Sequence, residues 1–169
     1  MLKSITEQLA RKHYERGRQY ELQDQLVEAL DAYEQSCEMT PSFPEPYEAI
    51  GRLLALRGQF SEAIGYLDSA LDKGDDVQTR QWRGYVLGRL HRYGDALDDY
   101  LSLRHLCDSQ IEVNIGRMLL ALRRFDEAED VLSEVVDPSA EQLLNAIPRY
   151  REFDMIEEDV RSIRYLFGG

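Results

Sequence analysis

Long apolar runs are missing from this 169-residue sequence. None approaches the roughly 20 residues that a helix needs to cross a bilayer, and the opening stretch MLKSITEQLARKHYERG lacks both the apolar core and the small-residue cleavage site of a secretory leader. A cytoplasmic setting is expected. Cysteine is scarce: Cys37 and Cys107 lie 70 residues apart, so a disulfide framework is excluded and two free thiols are expected, with Cys37 as a small buried hydrophobe on an apolar stripe. Lysine is scarcer still for a basic residue, at Lys3, Lys12 and Lys73 only; the other basic residues are arginines. That bias fits a GC-rich genome or a need for planar, bidentate donors. Positive charge as a whole is short, with 20 basic against 32 acidic residues and a net charge of −12. Such a balance disfavours nucleic acid and anionic membrane surfaces as partners.

Catalytic signals are also lacking. There is no Gly-rich phosphate loop and no Ser-centred elbow. The three histidines, His13, His91 and His105, fall at different phases of the pattern described below, so no converging metal ligands are expected. His105 and Cys107 lie near one another, but two ligands do not make a site. The acidic pairs Glu127 and Glu129, and Glu157 to Asp159, read as a solvated face. No enzyme activity and no cofactor are expected.

What is present is a repeat. Gly17 and Ala29, Gly51 and Ala63, Gly84 and Ala96, and Gly116 and Ala128 are each 12 residues apart, and the glycines advance by 34, 33 and 32. Large residues fall into phase around them: Leu26, Phe60, Tyr93 and Phe125 three before each Ala, Tyr33, Leu67, Tyr100 and Leu132 four after it, and Tyr20, Leu54, Leu87 and Leu119 three after each Gly. Tyr47, Ile50, Gly51 and Leu54 have the i, i+3, i+4, i+7 spacing of a helix face, and Phe60, Ala63, Ile64, Leu67, Ala70 and Leu71 give a second. No sustained strand-like alternation appears. Pro41, Pro44 and Pro46, the Lys73–Asp76 stretch and Asp137-Pro138 punctuate between units. Arg57-Gly58-Gln59 turns within one, and Ser42 with Glu45 has capping-box spacing. Asp95 and Asp126 fall near the starts of second helices, where an acid suits the helix dipole. A Gly on the first helix facing an Ala on the second would let the two approach closely, with the large residues filling the gaps around it.

Five units follow, at about 10–43, 44–76, 77–108, 109–136 and a degenerate 137–167, in one domain covering 1–169. In the last, Phe153 and Ile156 replace the Phe-x-x-Ala step and Leu144 takes the Gly slot.

The pattern resembles the tetratricopeptide repeat family, most fully in Gly17, Tyr20, Ala29, Tyr33 and Pro41 of the first unit and Tyr47, Gly51, Ala63 and Ala70 of the second. The third and fourth units keep the Gly, the first Ala and the large residues. The resemblance implies an all-α fold, a right-handed superhelical solenoid of antiparallel helix pairs, whose first helices line a concave face. It implies a module that binds a peptide or helix of a partner protein in that groove. Self-association as an assembly scaffold, or service as a dedicated chaperone of a secreted or assembling partner, are the alternatives. Carboxylate-clamping members that hold heat-shock chaperones use Lys, Asn and Arg where this chain has Tyr14, Arg18, Ala49, Gln78 and Trp82, so that role is disfavoured.

On this assignment the partner-binding residues are Tyr14, Arg18, Arg52, Gln78, Trp82, Tyr85, Arg89, Asn114, Arg117 and Asn145. Val77 to Arg92 holds Arg80, Arg83, Arg89 and Arg92 with no acid, whereas the second helices carry Asp68, Asp95, Asp99 and the run Asp126 to Asp130. A comparatively basic inner face is expected, suited to a partner with acidic residues and apolar anchors. A homodimer is expected through the C-terminal helix, where Val160, Ile163, Leu166 and Phe167 have no later helix to cover them.

Overall fold

The computed structural model describes the backbone of residues 2–167 and the surroundings of side chains 5–155. The described residues form α-helices and turns, without strands. The helices are α1 (Leu2–Leu22), α2 (Leu26–Met39), α3 (Pro44–Leu56), α4 (Phe60–Lys73), α5 (Val77–Arg89), α6 (Tyr93–Ser102), α7 (Ser109–Ala121), α8 (Phe125–Ser133) and α9 (Pro138–Phe167), with a short 3-10 turn at Arg104–Leu106 before α7. The chain divides into two compact units, Met1–Asp99 and Tyr100–Gly169.

Leu26, Phe60, Tyr93 and Phe125 are the first residues of α2, α4, α6 and α8, so one sequence phase sets the start of every second helix. The turn before each of these helices is built alike. Asp24, Gly58, His91 and Arg123 all take a left-handed backbone, with φ of 59°, 76°, 60° and 61°. In each, the next amide reaches back to close the turn: Gln25 N–H to Tyr20 O, Gln59 to Leu54, Arg92 to Leu87 and Arg124 to Leu119, all at 2.9 Å. Only one of the four positions is glycine, although the conformation favours it.

Between units, Asp76 caps α5 by accepting from Thr79 N–H at 2.9 Å, and Asp108 caps α7 through Gln110 N–H at 2.8 Å. The capping box expected of Ser42 and Glu45 does not form. α3 starts at Pro44 with Phe43 as its cap residue and no side-chain cap, because the proline already fixes the first helical φ and has no N–H to satisfy.

The close approach of paired helices differs from expectation in its partner. The space beside Gly17, Gly51 and Gly116 is taken mainly by the side chain of the large residue four after the Ala; the Ala itself comes close only at Gly51, through its carbonyl oxygen at 3.2 Å. A Cβ on Gly17 would lie 2.5 Å from the Tyr33 ring, on Gly51 2.7 Å from Leu67, and on Gly116 2.5 Å from Leu132. Tyr33, Leu67 and Leu132 are fully buried there, as are Ala29, Ala63 and Ala128. The glycine is thus a socket for a bulky knob.

The first unit's core joins Ala29, Tyr33, Ile50, Leu53, Leu54, Ala63, Leu67 and Val86. The second unit has its own, smaller one at Val113, Leu132 and Ala140, with Leu120, Val135, Leu143 and Leu144 against it. The degenerate last repeat is one helix: α9 runs through Phe153 without a turn, with Pro148 inside it. Its side chains from Ile156 onward, including Val160, Ile163, Leu166 and Phe167, lie outside the described residues, as do Glu157 to Asp159.

Both cysteines are free thiols. Cys37 is half-buried, and burial pushes its thiol up to about 11; Cys107 is exposed. No described helix is long and apolar enough to cross a membrane.

Candidate functional site

Within the first unit, three first helices share a face. α1 brings Tyr14, Arg18, Glu21 and Leu22 to it, α3 brings Glu48 and Arg52, and α5 brings Gln78, with Tyr33 of α2 at the floor. Together they enclose a cleft of about 370 Å³. Four sequence-derived positions, Tyr14, Arg18, Arg52 and Gln78, meet there. From Gln78 the face continues along α5 through Trp82, Tyr85 and Arg89, whose i, i+4, i+7, i+11 spacing holds them on one side of the helix.

Tyr14 is half-buried. Its ring lies 5.6 Å from Tyr33 and meets Phe43 edge-on at 5.5 Å. Trp82 is half-buried, packs on the core of the first unit and stands edge-on to Tyr85 at 5.9 Å. Tyr85, 38% exposed, also meets Phe60 edge-on at 6.1 Å. The Arg89 guanidinium sits 4.8 Å above the Phe60 ring, with Nη1 3.5 Å from the Tyr85 hydroxyl. This is a semi-exposed aromatic ridge capped by a cation, with each ring held by another.

The arginines are more engaged than the charge pattern implies. Arg52 donates from Nη1 and Nη2 to the two oxygens of Glu21, at 2.6 and 2.8 Å, and Tyr33 Oη–H donates to Glu21 Oε2 at 3.0 Å. The Arg52 hydrogen bond is the main reason that the Glu21 carboxyl lies below the usual range. Arg83 forks onto Asp99 at 2.8 and 2.6 Å and reaches Asp68 at 3.1 Å, although Asp99 is only 3% exposed. Arg80 bonds Asp75 at 2.5 and 3.0 Å and lies 3.5 Å from Asp99. Arg92 pairs with Asp95 at 2.6 Å. The expected basic inner face is met only in part: Arg52, Arg80, Arg83 and Arg92 are paired with acids of the same chain, whereas Arg89 is exposed against Phe60 and Tyr85. Arg18 remains well exposed, 3.6 Å from an equally exposed Glu15, a pair of small energetic weight.

Glu48 is the odd member. Its side chain is 15% exposed, and Oε1 is buried without a hydrogen bond. Arg52 Nε lies 3.4 Å away, within ion-pair range but making no hydrogen bond. Burial is the chief reason that the Glu48 carboxyl is raised above its ordinary value, with Asp76 and Glu21 adding to it against Arg52. Glu21 and Glu48 were not singled out from the sequence. Tyr14, Arg18, Glu21 and Leu22 have i, i+4, i+7, i+8 spacing, and Glu48 and Arg52 are i, i+4, so helical phase alone could have found them.

Asn114, Arg117 and Asn145 belong to the second unit. There Asn114 Oδ1 accepts from Arg117 and Gln110, each at 3.4 Å, and Asn145 is exposed on α9. Also in that unit, Arg151 bridges Asp126 and Glu129 at 2.6 and 2.8 Å, Arg123 pairs with Asp154 and Arg124 with Glu127 at 2.6 Å. Tyr150, Phe153 and Met155 of α9 are 48%, 68% and 67% exposed. Among the described residues no group of three or more His, Cys, Asp or Glu is placed to hold a metal.

Residues 47–81 match the family model of the tetratricopeptide repeat. No curated protein matches the sequence. Solved structures do match in fold. YrrB, a tetratricopeptide repeat protein with an unusual peptide-binding site, is 22% identical at a TM-score of 0.76, over 83% of this chain and 76% of that one. MamA 41-end from Desulfovibrio magneticus RS-1 is 17% identical at 0.69, over 89% and 85%. The first tetratricopeptide repeat domain of Spaghetti (RPAP3), bound to the HSP90 peptide SRMEEVD, is 20% identical at 0.54, over 84% and 92%. Residues 47–81 thus carry a tetratricopeptide repeat by sequence, and the described helices share the fold of solved tetratricopeptide repeat structures.

Proposed function

We propose that this protein is a protein-interaction module that holds a peptide or helix of a partner against the α1, α3 and α5 face of its first unit. One observation carries the reading: three consecutive first helices bring aromatic and polar side chains into a single cleft that runs on into an exposed aromatic ridge. Aromatic rings with a polar rim recur where interfaces concentrate their binding energy. Two of the fold relatives above are described with peptides or peptide sites, which supports a protein ligand without identifying it. The reading involves no catalysis and keeps the cytoplasmic setting.

Arg89 and Trp82 are not equal probes of this face. Trp82 packs on the core, so Trp82→Ala would disturb the fold together with the face. Gln78 and Tyr85 are exposed and separate binding from folding. Capture from the native organism with wild type and with the double variant Gln78→Ala, Tyr85→Ala should recover a partner with the first and lose it with the second. Equal recovery at unchanged melting temperature would reject the reading. A dedicated chaperone would use the same face, and its captured protein would be a secreted or assembling client.

Self-association is the second reading, favoured by the exposed Tyr150, Phe153 and Met155 on α9. Light scattering should then show a dimer that Phe153→Ser dissociates. A monomer at every concentration would dismiss it.

A further inference from the structure

The cleft contains one charged group whose needs are only partly met. Glu21 has both carboxylate oxygens occupied, by Arg52 twice and by Tyr33. Arg52 has its charge matched by Glu21 in bidentate geometry, the strong form of such a pair. Arg18 is exposed and lies beside Glu15. What is left is Glu48, which lines the cleft with a buried oxygen whose one cationic neighbour, Arg52 with Nε at 3.4 Å, is already shared with Glu21 and does not satisfy it with a well-formed hydrogen bond. A buried acceptor without a donor costs the full loss of its water. A donor supplied from outside removes that cost, and a cationic donor also offsets the neighbouring charges of Glu21 and Asp76.

The walls suit such a donor. Tyr14 lines the same cleft, its ring held between Tyr33 and Phe43. A rigid aromatic surface beside a carboxylate takes the alkyl stem of lysine or the plane of a guanidinium while the charged end reaches the oxygen. Gln78, exposed on α5 at the rim, offers both an acceptor and a donor to a peptide backbone. An acidic side chain entering the cleft would instead meet Glu48 and Glu21, with Arg52 already engaged by Glu21 and only the exposed Arg18, beside Glu15, to receive it.

We propose that the cleft takes a basic side chain, lysine or arginine, of the bound partner segment, with the Glu48 carboxylate as its acceptor and Tyr14 as its wall. This rests on the reading of the first unit's face as the binding face. It reverses the acidic preference that the arginine-rich α5 suggests in the sequence.

Three blocked pentapeptides test it: Ala-Leu-Lys-Leu-Ala, Ala-Leu-Glu-Leu-Ala and Ala-Leu-Ala-Leu-Ala, each acetylated and amidated, titrated into the full isotope-labelled chain and followed by amide shifts. The lysine peptide should shift the amides of Tyr14, Glu48, Arg52 and Gln78, with a Kd about tenfold below that of the glutamate peptide, as expected for a hydrogen bond between charged groups. In Glu48→Gln, which keeps the side chain's shape, the preference should fall to near parity, and Glu48→Ala should give the same loss. A preference for the glutamate peptide, or a lysine preference that survives both variants, overturns the assignment. Equal binding of all three peptides at the cleft overturns it while leaving the binding face standing. Absence of any shift at these four residues also overturns it, and partner capture with the Gln78, Tyr85 variant then decides separately whether the face binds at all.

Discussion

Replacing Gly51 with alanine should destabilise the protein although it improves local helix propensity. In an exposed helix interior the exchange is worth about 1 kcal/mol in favour of alanine. At Gly51 the new Cβ would stand 2.7 Å from Leu67 Cγ, 2.9 Å from Leu67 Cδ2 and 3.2 Å from the Ala63 carbonyl oxygen. Carbon atoms in contact prefer about 3.5–4.0 Å, so the pair α3 and α4 would have to open by most of an ångström. Leu67 is fully buried and the Ala63 carbonyl belongs to helix backbone, so neither can yield cheaply. Overpacking costs about 1–3 kcal/mol, and the upper part of that range, about 2–3, applies where neither neighbour yields, which leaves a net loss of about 1–2 kcal/mol after the propensity gain. Gly65→Ala is the matched control, because it lies within α4 with nothing within 4 Å of its new Cβ; it should stabilise by about 0.5–1 kcal/mol. Urea titrations followed both by circular dichroism and by the fluorescence of Trp82, the single tryptophan, give the two values. Gly51→Ala combined with Leu67→Ala should be less damaging than the sum of the singles, since the second change empties the space the first one needs. A neutral or stabilising Gly51→Ala, or strict additivity with Leu67→Ala, would refute the socket account of the repeat glycine.

Other outcomes follow from single sites. Asp24→Gly relieves a left-handed backbone at φ 59° and should raise stability by about 0.5–1 kcal/mol, measurable as a higher urea midpoint. Arg52→Ala leaves Glu21 without its principal donor and should cost about 1–3 kcal/mol at pH 7. Because the folded Glu21 carboxyl lies below its unfolded value, the stability it contributes is present above about pH 4.5 and lost as pH falls through the folded value; the penalty of Arg52→Ala should shrink over that acid range. Glu48 has the opposite sign: its raised carboxyl opposes folding at neutral pH, so Glu48→Gln should raise the melting temperature at pH 7 by more than at pH 4. Cys107 should react with iodoacetamide at neutral pH well before Cys37, whose half-buried thiol is pushed up to about 11; mass spectrometry of the partly labelled protein reads the order.

The helical repeat was legible because its signal is periodic. Phe60 and Tyr93 mark helix starts, and Leu67 and Leu132 mark buried knobs, at constant offsets from glycine. The socket was misassigned because spacing along a chain shows which positions recur and not which side chain fills the gap; only the geometry distinguishes Ala63 from Leu67 beside Gly51. The shared left-handed turn was hidden because three of its four positions, Asp24, His91 and Arg123, are not glycine, so only Gly58 carries a residue-type signal for that backbone. At the site, helical phase brought Tyr14, Arg18, Arg52 and Gln78 to one cleft. The charge reading failed on α5, since the absence of acids within Val77 to Arg92 says nothing about Asp68 and Asp99 on the neighbouring helices, which take Arg83. Long arginine side chains reach across elements, and a one-dimensional charge count does not follow them.

Partner contact at the face shared by α1, α3 and α5 is the proposal most directly open to test. A photo-crosslinking amino acid substituted at the exposed Gln78, compared with one at the exposed Gly65 of α4, tests it in native extract. A discrete crosslinked adduct should form from position 78 and disappear with Tyr85→Ala, and none should form from position 65. An adduct formed equally at both positions, or at 65 alone, would contradict it.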